Sequence, residues 1–141
     1  MKITINYCNN LHFKAKTRDF DNIQIDEPES FHGTDLGPSP VEYLLIGIGG
    51  CLSSTFVYCL QKRNIKIDDL ETIIDGDLKH NQPSLYLRLK QIQVEFNLSL
   101  KAGYKEDELD KCINEFTKYC PIYEPVLNGI PININFKKKI K

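Results

Sequence analysis

SPVEYLLIGIGGCLSSTFVYCLQKR, residues Ser39–Arg63, decides the architecture. It opens with both devices of a helix start. Ser39 can cap, Pro40 suits the first helical position, and Glu42 completes an S-x-x-E capping box. A helix of about 24 residues is therefore expected, with Asn64 as its stop. Its most apolar part, Val41–Leu52, is broken by Glu42 and by Gly47, Gly49 and Gly50. A membrane span needs about 20 apolar residues, so this reads as a core helix. Each glycine costs roughly 1 kcal/mol relative to alanine inside a helix. Three so close together call for a reason: another backbone packing closely, or room for a substrate beside Cys51.

Outward from this helix the pattern changes period. Upstream, Ile3, Ile5 and Tyr7 alternate, then Leu11, Phe13 and Ala15, with Asn9 and Asn10 as the turn. Ile23 and Ile25 continue as a third strand, and 26–38 is a loop rich in proline, glycine and acidic residues. Downstream, 66–80 reads as a strand with a bulge at Gly76. Residues 84–100 read as another: Leu85, Leu87 and Leu89 face one way. Ile92, Val94, Phe96, Leu98 and Leu100 resume on the other parity. A phase slip between Lys90 and Gln91 restores the apolar face to the core.

A second helix is expected over 105–119 on the stripe Leu109, Cys112, Ile113 and Phe116, with Cys120 next on it. Its acidic first turn and Lys118 suit the macrodipole. Pro121 opens a short helix, 121–127, ended by Asn128 and Gly129, and IPININF (130–136) reads as a last strand. The terminal KKKIK reads as a solvated end. Strands cluster instead of alternating with helices, so the fold class is α+β with mainly antiparallel pairing, in a single domain over 1–141.

Composition narrows the function classes. With 18 Lys+Arg against 19 Asp+Glu the net charge is -1, which gives no general attraction to nucleic acid. The first ten residues lack the apolar core of a secretory leader, so a cytoplasmic protein is expected. Five cysteines, Cys8, Cys51, Cys59, Cys112 and Cys120, form no CxxC. An odd count in a cytoplasmic chain argues against a disulfide framework, and three scattered histidines, His12, His32 and His80, argue against zinc. No cofactor motif is present: GIGGC lies within a helix, whereas a phosphate loop opens one.

The chemistry-bearing residues each carry two readings. Cys51 is a small buried hydrophobe or a reactive thiol. Cys120 continues an apolar stripe, yet as N-cap of the short helix its thiolate would be favoured. Cys8, Cys59 and Cys112 read as packing. Arg18 follows the first hairpin and is the arginine freest to reach a site. Arg63 ends a helix in solvent, and Arg88 lies opposite Leu87 and Leu89. Glu42 is a helix cap, or else a base or arginine partner.

DEPESFHGTDLGPSPVEYLLIGIGGCLSSTFVYCLQKRNI, followed by KYCPIYEPVLNG, resembles the OsmC/Ohr family of osmotically inducible and organic hydroperoxide resistance proteins. The shared features are a Gly-Pro-x-Pro loop leading into a long helix with a cysteine after small residues, and a Cys-Pro after a second helix. The resemblance implies an intertwined homodimer, with sheets wrapped around long central helices and sites at the interface. It also implies thiol peroxidase chemistry. Cys51 is then the peroxidatic cysteine, Cys120 the resolving one, and Arg18 the cation serving the thiolate, with an external dithiol as reductant.

Two positions depart from the family pattern. Val41 stands where the hydroperoxide-resistance branch has glutamate, with Glu42 one residue later, a rotation of about 100°. Tyr123 replaces the serine of Cys-Pro-x-Ser. The expected activity is a cofactor-free reductase acting on bulky organic hydroperoxides, with Leu52, Phe56 and Ile48 lining the site and no metal. The alternatives are a non-catalytic binder of an apolar small molecule at the interface, or a redox sensor.

Overall fold

The computed structural model describes residues 1–138 and resolves into two compact units, 1–49 with 72–95 and 50–71 with 96 onward. Three elements run through both: helix α1 (Pro40–Lys62) and strands β4 (Ile67–His80) and β5 (Leu87–Leu100).

The first unit begins with a meander of β1 (Thr4–Asn9), β2 (His12–Thr17) and β3 (Phe20–Ile25), antiparallel in that order. Tyr7 lies opposite Phe13, and Phe13 opposite Ile25. Asn10 and Arg18 turn the two hairpins with φ of 44° and 51°, the left-handed region that tight turns require. Ile3, Ile5 and Tyr7, expected to alternate toward a core, are all exposed. Loop 26–38 is organised by one buried carboxylate. Asp26 accepts bonds from the backbone N–H groups of Glu27, Thr34 and Leu36 and from the Thr34 hydroxyl at 2.5 Å. These bonds, the Thr34 hydroxyl first, hold its carboxyl below the usual aspartate value.

α1 starts as its sequence demands. The Ser39 N–H donates to Glu42 Oε2 at 2.7 Å and the Glu42 N–H to Ser39 Oγ at 3.3 Å, so the capping box is closed. Within the glycine run only Gly49 has a close neighbour in this chain. At Gly49 a Cβ would sit 1.6 Å from Ile74 Cδ1, so the close neighbour is a side chain and not a backbone. Gly47 and Gly50 face open space. Gly76 gives room to Leu45, whose Cδ1 would lie 2.8 Å from an added Cβ.

β5 shows the phase slip. Lys90 and Gln91 are both exposed, and the inward positions change from 87 and 89 to 92, 94, 96, 98 and 100. The strand starts three residues later than expected. Leu85 takes a φ of 56° in the β4–β5 turn, where its N–H bonds to Asn81 O at 2.6 Å, so it cannot continue the alternation.

In the second unit the core gathers Phe56, Leu60, Ile65, Leu109 and Cys112, with Phe96 and Phe116 against them. The three phenylalanine rings are mutually packed at centroid distances of 5.1 to 5.8 Å. Phe56→Ala should cost about 3–5 kcal/mol of stability, read as a lowered urea midpoint at unchanged slope. A shift under about 1 kcal/mol would contradict this core. Helix α2 (Glu106–Glu115) tightens into a 3-10 turn at 116–119, ending earlier than the 105–119 helix expected. Ile113, assigned to its apolar stripe, is 51% exposed, because Leu109 and Cys112 alone face inward.

α3 runs Tyr123–Asn128 and stops at Gly129, φ 81°. The expected final strand is not formed among the described residues. Residues 130–136 join no ladder, and Ile130, Ile132, Ile134 and Phe136 are exposed, Phe136 at 93%. Of the KKKIK tail, only Lys137 and Lys138 lie within the described residues.

α1 is long and apolar enough to cross a membrane by length and composition alone. Here Leu52, Phe56 and Leu60 are buried.

Candidate active site

Two thiols meet in the second unit. The sulfurs of Cys51 on α1 and Cys120, separated by 69 positions in sequence, lie 3.5 Å apart, with the Cys120 thiol donating. Cys120 is buried and Cys51 half-buried. Backbone rules place Cys120. The 3-10 turn ends with the Cys120 N–H on Thr117 O, and Pro121 forces Cys120 out of helical geometry to φ -77°, ψ 118°. Cys120 is therefore not the N-cap of the short helix, as the sequence suggested. Ile122 holds that position, because Pro121 and Ile122 form a turn before α3 begins at Tyr123.

Burial pushes the Cys51 thiol above its ordinary value, and its proximity to Cys120 adds to this. The Ile122 N–H and the Thr55 hydroxyl, both polar groups beside the sulfur, work the other way and favour its charged form. Thr55 lies one turn below Cys51 on the same face and also bonds the Cys51 carbonyl at 2.8 Å. Since burial outweighs the donors, alkylation of Cys51 by iodoacetamide should climb about tenfold per pH unit from neutrality. It should level off only above the ordinary value of 9.0. A plateau already reached near neutral pH would contradict this balance.

The other candidates fall elsewhere. Arg18 is exposed in the β2–β3 turn of the first unit, its guanidinium 5.2 Å over the Phe20 ring. Glu42, also in the first unit, spends its carboxylate on the capping box, which holds it below the usual glutamate value. Arg18 and Glu42 form no pair with each other among the described residues. Arg63, read as solvated, instead bridges Glu108 at 3.1 Å and Glu115 at 3.6 Å. Arg88 stacks on Tyr86.

Cys8 is exposed, not packed. Cys59 and Cys112, also read as packing, are joined as a disulfide, Cα–Cα 5.7 Å. Leu52, Phe56 and Ile48, expected to line the site, are buried. One cavity in the second unit, about 490 Å³, is walled by Ser54, Thr55, Tyr58, Cys59, Lys62, Arg63 and Tyr119. Sequence reading missed Thr55 and the Ile122 N–H. The spacing Cys51–Thr55–Cys59, each four residues apart, was the available signal for the first.

The profile of OsmC-like proteins matches residues 33–135, which contain both thiols and the whole of α1. The chain belongs to the OsmC-like protein family. No curated protein matches this OsmC-like chain in sequence. Solved structures share its fold. The OsmC-like protein of Mycoplasma pneumoniae is 23% identical at a TM-score of 0.73, over 92% of this chain and 87% of that one. An OsmC-like protein of unknown function from Vibrio cholerae is 10% identical at 0.75, over 87% and 90%. The organic hydroperoxide resistance protein OhrB of Bacillus subtilis is 18% identical at 0.57, over 89% and 88%. At these identities the likeness speaks for the fold alone. Val41 is half-buried beside the exposed Glu42, and Tyr123 opens α3. Among the described residues no group of three or more His, Cys, Asp or Glu side chains is placed to hold a metal ion.

Proposed function

We propose that this OsmC-like protein is a cofactor-free thiol peroxidase that reduces organic hydroperoxides with Cys51 and Cys120. The observation that carries the reading is the 3.5 Å contact between the two sulfurs. The Cys51 thiolate attacks the terminal oxygen of R–O–OH and the O–O bond breaks. RO⁻ leaves and takes a proton as the alcohol, and Cys51 becomes a sulfenic acid. The Cys120 sulfur then displaces that hydroxyl, which departs as water, and the S–S bond forms. An external dithiol exchanges with it and restores both thiols. The Ile122 N–H and the Thr55 hydroxyl stabilise the attacking thiolate. Arg18 is our assignment for the cation steadying the leaving oxygen, and Glu42 serves as cap.

The working form is proposed to be a cytoplasmic homodimer. Gly47 and Gly50 leave one side of α1 without side chains, where a second copy's helix can approach. The exposed Ile130, Ile132, Ile134 and Phe136 alternate as a strand in need of a partner does.

The test is sustained turnover. Reduced protein with cumene hydroperoxide and dithiothreitol should consume many equivalents of peroxide per chain. The cavity beside Tyr58 and Tyr119 supports a second reading, a binder of small molecules without catalysis. Intact thiols and unchanged peroxide would favour it and sink the peroxidase.

A further inference from the structure

The thiol pair does not stand alone on its two elements. Cys51, Thr55 and Cys59 follow one another at four-residue steps along α1, and Cys112 and Cys120 lie eight residues apart on α2 and the turn that follows it. The result is two rungs. In the upper one Cys51 and Cys120 touch as free thiols; in the lower one Cys59 and Cys112 are bonded. Eight residues of helix put the rungs about 12 Å apart along α1. That is too far for one pair to exchange directly with the other, so the lower rung is not a relay for the upper.

What the lower rung does is fix a distance. Between Cys112 and Cys120 the chain is continuously hydrogen-bonded. The Phe116 N–H donates to Cys112 O, and the Cys120 N–H to Thr117 O at 3.2 Å. Tethering Cys112 to Cys59 therefore leaves Cys120 few ways to move relative to α1. Phe116 against Phe56, and Arg63 between Glu108 and Glu115, fasten the same two elements. Those contacts are non-covalent and partly exposed, so the disulfide sets the tightest limit on displacement.

We propose that the Cys59–Cys112 disulfide is a positioning device that holds Cys120 at bonding range of Cys51. Cys59 and Cys112 touch neither substrate nor the reacting sulfurs. They act through the backbone that joins them to Cys120. The rung forms by exchange: the two thiols reduce the disulfide of a low-molecular-weight thiol, releasing two equivalents of that thiol as one protein S–S bond replaces the small-molecule S–S bond. Cys59 borders the open cavity while Cys112 is wholly buried, so exchange begins at Cys59. Peroxidase efficiency then depends on a second redox couple that consumes no peroxide. The proposal rests on Cys51 and Cys120 being the working pair.

The experiment needs no peroxide, so its outcome is separate from that of the peroxidase reading. The Cys51–Cys120 pair is equilibrated in glutathione redox buffers, and the fraction bonded is read by thiol trapping and mass mapping. Wild type is compared with Cys59→Ala/Cys112→Ala and with Cys59→Ser/Cys112→Val, which refills the buried position. Because misplacement by about 1 Å can cost about a hundredfold in an intramolecular reaction, the effective concentration of the upper pair should fall at least about tenfold in both variants. A value within about twofold of wild type in a variant that keeps its circular dichroism and a cooperative urea transition would overturn the proposal. So would wild-type protein in which Cys59 and Cys112 remain free thiols under the most oxidising buffer.

Discussion

Cys51→Ser should remove the hydroperoxide-consuming activity altogether, lowering the second-order rate by about 10³-fold or more. Serine keeps nearly the size of the side chain and leaves the Thr55 bond to the backbone carbonyl of residue 51 in place. Its hydroxyl ionises far above neutral pH, however, and oxygen is a poor nucleophile toward a peroxide bond. Cys51 is only half-buried and has no ion pair to lose, so the variant should unfold within about 1 kcal/mol of wild type. Stopped-flow loss of cumene hydroperoxide measures the rate, and urea denaturation shows that the fold is kept. A variant retaining more than about a tenth of the activity would mean that another thiol does the chemistry. The exposed Cys8 would be the first to examine.

Cys120→Ser should divide the reaction instead of stopping it. The first equivalent of hydroperoxide should disappear at close to the wild-type rate, because the attacking sulfur is unchanged and serine keeps a hydroxyl beside it. Turnover should then fall by about tenfold or more, with Cys51 held as a sulfenic acid that dimedone traps. Excess peroxide should carry that species on to the sulfinic acid, which dithiols do not reverse. Loss of the first equivalent as well as of turnover would show that Cys120 assists the attack itself. Unimpaired turnover would show that another thiol resolves Cys51.

Much of this was legible in the sequence, for reasons local to a few residues. Ser39, Pro40 and Glu42 announce the start of α1 because capping is a short-range geometry, and the box closes as written. The Lys90–Gln91 slip was legible because two polar residues in a row break a period-two pattern. The helical stop at Gly129 was legible because glycine tolerates its positive φ.

What escaped depends on contacts distant in sequence. No pattern near Cys59 or Cys112 shows that they bond, since their partners lie 53 positions apart. Arg63 looked solvated because its carboxylates, Glu108 and Glu115, belong to another helix. Gly49 answers to Ile74 and Gly76 to Leu45, side chains that no local reading could name. Cys120 misled for a different reason. Pro121 can open a helix, but here it opens a turn first, which passes the N-cap to Ile122 and aims the Ile122 N–H at Cys51. The IPININF segment carried a true strand pattern without a strand partner among the described residues.

The most direct measurement is the location of the bond made by one equivalent of hydroperoxide. Protein with Cys51 and Cys120 reduced is treated with equimolar cumene hydroperoxide, quenched by alkylation, digested and mapped by mass spectrometry. The account predicts the loss of two thiols per peroxide consumed and a cross-linked peptide pair joining Cys51 to Cys120, with Cys8 alkylated. Peroxide lost with Cys51 and Cys120 both still alkylated, or a new bond joining any other pair, would contradict it.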